Sequence, residues 1–424
     1  MFGKVKKVFV IILLIPVVSY AQEKSRAVLT TGITGTIKSS GLDNPMFVLS
    51  FPQIQNLLLE ANKKSVTMAE INKAVSGTPV KFENLMNLEL LRQTKDGFRT
   101  AYTVLSIEDQ RLIFRIAQKY GADLAKEFRK RQSEIDRIIS KYPDASRRNE
   151  LKFGLIAGLL LNWEGLKLNS ELGYRATPKE RKNGEKYILH SEEIGANLDE
   201  KGMYWGSHSF PGDTVAFSTF GDGESIPRLN GIPDVFFGPA DAGLEKMKDS
   251  PAIHQAMRDE LIAYFSIAIN DAGNILNTLA GNPGSEQDLA KQLNISESRM
   301  QAALGLLSAA GYIEKKNNVY QVNVPFLQRK DKTIVVETLK LGRNLLKDWL
   351  IENYEKIKND LTNLSPLKNE LDFNLLFNTV WHYVFGWTTK YLSENGFYIN
   401  PRSSDYRYKG FVPLVWDLSL YELF

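Results

Sequence analysis

The chain holds four histidines and no cysteine, and two of the histidines fall close together beside a pair of glutamates. YILHSEEIG (187–195) reads as a strand, and the alternation of a strand puts His190 and Glu192 on one face. KGMYWGSHSF (201–210) adds His208, flanked by Ser207 and Ser209. A His190/Glu192/His208 set could hold a divalent metal, with Glu193 as a general base beside it. The spacing matches no H-E-x-x-H pattern, so ordinary hydrogen-bonded or surface histidines are the expectation and no metal is expected. Ser207 lies outside any G-x-S-x-G elbow, which removes the signature of a nucleophilic serine. GDGES (221–225) lacks the alternating carboxylates of a calcium loop and reads as a turn. The absence of cysteine excludes thiolate nucleophiles, disulfides and thiolate-bound zinc. No P-loop or dinucleotide fingerprint occurs, and no cofactor is expected.

Binding chemistry has a second candidate in the aromatic residues. The last 52 residues hold 15 of them, far above the 11% of the whole chain. Phe373, Phe377, Trp381 and Phe385 recur at helical spacing and read as core, and His382 reads as a satisfied core histidine. RSSDYRYKGF (402–411) is different: Tyr406, Arg407 and Tyr408 alternate with polar residues, as interface anchors do. Together with Tyr204 and Trp205, they are the expected contact residues for a partner protein or a glycan.

The elements that must position these residues come in two copies. EINKAVS (70–76) aligns with DLAKQLN (288–294) at an offset of 218, and YGADLAKEF (120–128) with LGRNLLKDW (341–349) at 221. SELGY (170–174) aligns with SENGF (393–397) at 223. An offset that drifts this little predicts a duplication over 46–187 and 253–416, with an unrepeated insert at 188–250. In the second copy Leu289, Ala290 and Leu293 predict one helix. Asn294 to Ser296 form a turn, and Met300, Ala303, Leu304 and Leu307 predict a second helix ending at Gly311. Residues 312–324 then read as a hairpin around Asn317-Asn318, as residues near Asp96-Gly97 do in the first copy. Long amphipathic helices are expected at 107–139 and 332–361, and a third apolar helix at 151–172 and 371–395.

Helix, turn, helix and hairpin in that order resembles the winged helix-turn-helix family, best over 285–324. The resemblance implies DNA binding through the second helix. The residues argue against it. That helix offers Ser296, Glu297, Ser298, Arg299 and Gln301 in the second copy, and Lys81, Glu83, Asn84, Asn87 and Glu89 in the first. Base and phosphate contacts call for more cations than these. Winged helices also serve as protein-interaction modules.

MFGKVKKVFVIILLIPVVSYA (1–21) reads as a cleaved signal peptide, with a basic start, a short apolar run and small residues at the cleavage site. Without its three lysines the chain carries 50 basic against 49 acidic side chains, so it exerts no general pull on nucleic acid or anionic lipid. Residues 22–44 read as a linker. The expectation is a mainly α protein with small β-hairpins (α+β): two winged-helix-like repeats with helical extensions, 46–187 and 253–424, around a β-containing insert. The functional expectation is an exported, non-catalytic protein that binds a protein partner or an envelope ligand, its copies pairing within one chain or as a homodimer. A DNA-binding regulator and a metal-dependent hydrolase centred on the insert are the alternatives.

Overall fold

The computed structural model describes residues 28–182, 184–196, 207–221, 251–408 and 410–421. The leader expected at 1–21 and the pair Tyr204–Trp205 lie outside the described residues. The first half opens with strand β1 (Leu29–Thr36), followed by α1 (Pro52–Lys63), α2 (Met68–Val75) and α3 (Phe82–Asn87). A hairpin of β2 (Leu91–Thr94) and β3 (Gly97–Thr100) follows, then β4 (Thr103–Leu105), α4 (Ile107–Lys130) and α5 (Gln132–Ile139). Helix α6 (Arg148–Phe153) runs through a π-helical segment (Gly154–Glu164) into α7 (Gly165–Glu171). Strand β5 (Lys186–Glu193) then completes a sheet of order β1-β5-β4.

The helix starts are written in the side chains. Thr67 and Glu70 form a reciprocal capping box at α2, and Ser106 and Asp109 form one at α4. Each box satisfies amide donors that the first helical turn leaves without a partner.

The second half uses β6 (Ser207–Pro211), β7 (Val215–Phe220), α8 (Pro251–Leu279), α9 (Glu286–Leu293) and α10 (Glu297–Ala309). A hairpin of β8 (Ile313–Lys316) and β9 (Val319–Val322) precedes β10 (Phe326–Leu327) and the long α11 (Lys332–Asp360). Short α12 (Ser365–Lys368), α13 (Phe373–Glu394) and β11 (Val412–Asp417) complete it. Asn317 and Asn318 both have positive φ, the backbone that a two-residue hairpin turn requires. The second sheet has the order β10-β11-β7-β6.

Element order and pairing therefore repeat. Among the described residues, in each half a strand precedes several helices, a hairpin, a short strand, a long helix, further helices and a returning strand. The short strand runs parallel to the returning one, with Leu105 opposite Glu192 and Leu327 opposite Trp416. The returning strand runs antiparallel to the opening one, β5 with β1 and β11 with β7. Mainly α with small β elements is the observed class, but the β part includes two mixed sheets besides the hairpins.

Two expected boundaries are corrected. Residues 29–36 of the expected linker are strand β1, and the expected insert is not one unit. Its start belongs to β5 of the first sheet, and 207–220 supply β6 and β7 of the second. The sequence comparison missed this because the two opening strands share no side-chain pattern. LTTGITGT lies along an edge of its sheet, whereas every residue of VAFSTF is buried between two neighbours.

The halves interlock through their helices. Gly121 on α4 and Gly342 on α11 sit at the same offset of 221, and each meets the other half. A Cβ on Gly121 would lie 2.6 Å from the Trp387 Cβ and 3.0 Å from the Val384 carbonyl oxygen of α13. A Cβ on Gly342 would lie 1.9 Å from Leu160 Cδ2 in the π-helical segment. Only a glycine permits so close an approach. One apolar core contains Phe128, Leu160, Leu346, Phe377, Trp381 and Trp416 from both halves, and each helix-helix-hairpin unit has a smaller core of its own. Phe373, Phe377, Trp381 and Phe385 are buried, as their spacing requires. Among the described residues no helix is long and apolar enough to cross a membrane.

Candidate functional site

The histidines and glutamates singled out by sequence part company in the fold. His190 stands on β5 between Gly32 of β1 and Thr103 of β4. His208 stands on β6 opposite Thr219, in the other sheet. Glu193 is a helix-end ligand: its Oε2 accepts the Ile107 amide at 2.9 Å, where the positive end of the α4 dipole favours a carboxylate. Its backbone oxygen accepts from Gln110 Nε2 at 2.8 Å. Among the described residues no three His, Cys, Asp or Glu side chains converge as a metal site.

What gathers around His190 instead is a small polar pocket between the β1–β5 face and helix α13. Its walls include Thr34, Arg175, Ile188, His190, Asn374 and Asn378, and it has room for a group of about the size of a water molecule. Strand alternation sends Tyr187, Leu189 and Ser191 of β5 into the core of the first half and leaves Ile188 and His190 for the pocket side. The imidazole lies down on β1, since a Cβ on Gly32 would come within 2.1 Å of His190 Cε1. Burial and the neighbouring His382 push His190 down to about 4, so the ring is neutral at pH 7. His382 is also pushed down, mainly by burial, while its Nδ1 pairs with the Asn378 backbone oxygen at 2.7 Å. The expectation of a satisfied core histidine there is met at that nitrogen.

Arg175 supplies the charge. Burial holds its guanidinium below the usual range, with no carboxylate offsetting that effect, yet an arginine stays protonated. Its Nε is buried without a hydrogen-bond partner, and so is Asn378 Oδ1. Two orphaned polar atoms at one small cavity are an arrangement that native interiors avoid unless something fills it.

Apolar residues stand at the corresponding places of the other half. The offset of 223 that aligns the ends of the third helices puts Leu151, Leu155, Ile156 and Leu159 in the places of Asn374, Asn378, Thr379 and His382. All four are fully buried. The strand register puts Leu414 in the place of His190, and Leu414 packs on Gly154. Apolar packing thus closes the joint in one half, and a polar cluster occupies it in the other.

Of the expected contact residues in the aromatic tail, Tyr406 turns inward, Tyr408 is half-buried and Arg407 is exposed. Tyr406 is buried, and its hydroxyl donates to Glu150 Oε1 at 3.2 Å. Arg407 Nη2 lies 3.2 Å from the same oxygen, and Arg407 and Arg147 both donate to Asn323 Oδ1 at 2.6 Å. Tyr408 donates to the Gly311 carbonyl at 2.5 Å, tying the tail to the turn after α10. Burial outweighs both guanidiniums and pushes the Glu150 carboxyl upward. The signal for this inward turn lay in the pairing of Tyr406 with a distant glutamate, which no local pattern carries.

Several cations of the helix-helix-hairpin units are engaged internally. Arg299 of α10 makes a two-point pair with Asp271 of α8, at 2.9 and 2.7 Å. Arg99 of the first hairpin donates to Ser65 Oγ at 3.0 Å and to Asn369 Oδ1 at 2.5 Å, and Arg92 donates to the Asn369 carbonyl. Lys316 pairs with Glu314 at 2.7 Å, and Lys315 lies over the Tyr320 ring. In the basic run 129–131, Lys130 pairs with Glu127 and Arg131 with Glu134.

Sequence reasoning singled out His190 for the wrong set and missed Arg175 and Asn378. The repeat could have found them, because asparagine and histidine stand where the other copy has leucine. Comparison with protein-family models, curated proteins and solved structures finds no significant match for this chain.

Proposed function

We propose that this chain is an exported, non-catalytic binding protein built on two winged-helix-type modules that no longer read nucleic acid. One observation carries the reading: Arg299, the cation on the second helix of the better-matching module, is spent on Asp271 of the same module. A groove-reading helix presents donors to phosphates and base edges, and this half-exposed guanidinium would have to give up two bonds to Asp271 to do so. The near balance of charge after removal of the leader points the same way. The helix, helix and hairpin order in both halves supports the module type. The crossing of α4 onto α13 and of α11 onto the π-helical segment supports pairing of the modules within one chain.

Fractionation and DNA retention test the reading together. The mature chain is expected outside the cytoplasm, with no retention of double-stranded DNA at 100 mM salt. Cytoplasmic location together with retention that falls steeply with salt would restore the regulator reading.

A further inference from the structure

We propose that the outward faces of α4 and α11 together form a cationic surface that docks the protein on an anionic lipid bilayer. On α4, Arg111, Arg115, Lys126 and Arg129 are exposed and, among the described residues, make no ion pair. Helical spacing puts them within about 60° of one another around the axis and along about 27 Å of its length. Helix α4 reaches α11 through Lys119, Tyr120 and Asp123, and α13 through Phe114 and Gly121. The stripe is the face left over. The offset of 221 puts Lys332, Lys340 and Lys347 of α11 at the places of Arg111, Lys119 and Lys126. These three are likewise exposed and, among the described residues, outside any ion pair. The pairs Lys119–Asp360 and Lys141–Glu337 show that α11 runs antiparallel to α4 and α5. A half-turn that exchanges two antiparallel helices keeps their matching faces on one side, so the two stripes share a surface.

Charge and an apolar component select the partner. Most carboxylates of the two helices are engaged: Glu127 by Lys130, Glu337 by Lys141, Glu352 by Lys356 and Asp360 by Lys119. Lys358 lies 3.7 Å from Glu355, Asp123 accepts Trp349 Nε1, and Asp109 is buried in its capping box. Glu108, near Arg111, and Asp348 are the exposed counter-charges that remain. The face thus keeps a positive surplus that the near balance of the whole chain conceals. Val336 stands between Lys332 and Lys340 with 44% of its surface exposed, and Ile351 lies one turn past Lys347 with 54% exposed. Aliphatic side chains set among lysines on a surface helix match the boundary between headgroups and acyl chains. A nucleic-acid strand is followed instead by a basic groove with aromatic rings for its bases, and two helices side by side give a broad face. The inference does not rest on the loss of DNA reading, since it uses neither helix-helix-hairpin unit.

Co-sedimentation with vesicles tests the surface. The mature chain, free of the basic and apolar leader, is mixed with phosphatidylcholine vesicles, alone or with about 30% phosphatidylglycerol, at about 0.1 M and about 0.5 M salt. The expected result is binding to the anionic vesicles only, weakened by the higher salt and weakened at least about tenfold in R111Q/R115Q/K126Q/R129Q. Removing as many exposed cations from the helix-helix-hairpin units, in K73Q/K81Q/K95Q/K291Q, should leave binding unchanged. No binding, equal binding to the neutral vesicles, or an equal loss in both variants would overturn the proposal. Should the α4 variant not fold, K332Q/K340Q/K347Q on α11 is read in its place with the same expectation. Retention of double-stranded DNA that is lost in the α4 variant, without vesicle binding, would assign the face to a soluble polyanion and overturn the bilayer. Vesicle binding by a chain found in the cytoplasm would support this surface while the export reading fails.

Discussion

A methyl group added at Gly121 should pry the two halves apart, and the same methyl at Gly305 should stabilise the protein. The structure sets the signs. At Gly121 the new Cβ would meet backbone as well as side chain: the Trp387 Cβ at 2.6 Å, the Thr388 nitrogen at 3.0 Å and the Val384 oxygen at 3.0 Å. Backbone cannot rotate away, so α4 and α13 must separate along a tightly packed interface. Overpacking of this kind costs roughly 3 kcal/mol at the upper end of the usual range. Alanine returns about 1 kcal/mol through its better helix propensity, leaving Gly121→Ala less stable by about 2 kcal/mol. At Gly342 the close atoms belong to the Leu160 side chain, at 1.9 and 3.0 Å, and part of the clash can be relieved by a rotamer change. Gly342→Ala should therefore fall between the two. Gly305 lies in α10 with nothing within 4 Å of its Cβ position, so Gly305→Ala should gain about 0.5–1 kcal/mol. Urea unfolding of the three variants beside the parent measures the order directly. If Gly121→Ala proves as stable as Gly305→Ala, the two halves are not joined by this contact, and the account of an interlocked pair fails.

Other consequences follow from the buried polar groups. His190 takes up a proton near 6.5 when unfolded but only near 4 when folded, so its contribution to stability is complete above pH 6.5 and is lost as pH falls towards 4. The total is on the order of 3 kcal/mol, and His190→Gln should flatten the stability profile between pH 6.5 and 5, where carboxylates hardly titrate. Arg175 stays charged through this range, and His382 contributes with the same sign, so a residual slope should remain. Glu150→Ala should cost about 2 kcal/mol, because it leaves the Tyr406 hydroxyl without its acceptor and removes the counter-charge of Arg147 and Arg407, which keep only Asn323, and it should expose the segment around Tyr406 to proteolysis. Removing the solvated Glu352–Lys356 pair should change nothing measurable in the same unfolding assay.

Local chemistry was legible in the sequence wherever a few neighbouring residues decide the outcome. The helix that begins after Ser285, the positive-φ turn at Asn317-Asn318 and the burial of Ile71 and Leu289 at matching positions all follow from short-range pattern. So does the repeat itself, because two chains folded alike keep apolar residues at the same spacing. Tertiary structure decided what the pattern could not carry. β1 and β7 are strands because β5 and β11 return to pair with them from 150 or more residues away, and such pairing leaves little trace in local side-chain type. Tyr406 points inward because Glu150 waits there. His190 faces Arg175 and Asn378 only because a helix of the second half is laid across a sheet of the first. A sequence records which side chains alternate along each segment; which segments meet is fixed by the summed burial of the whole chain, and the pocket exists only at such a meeting.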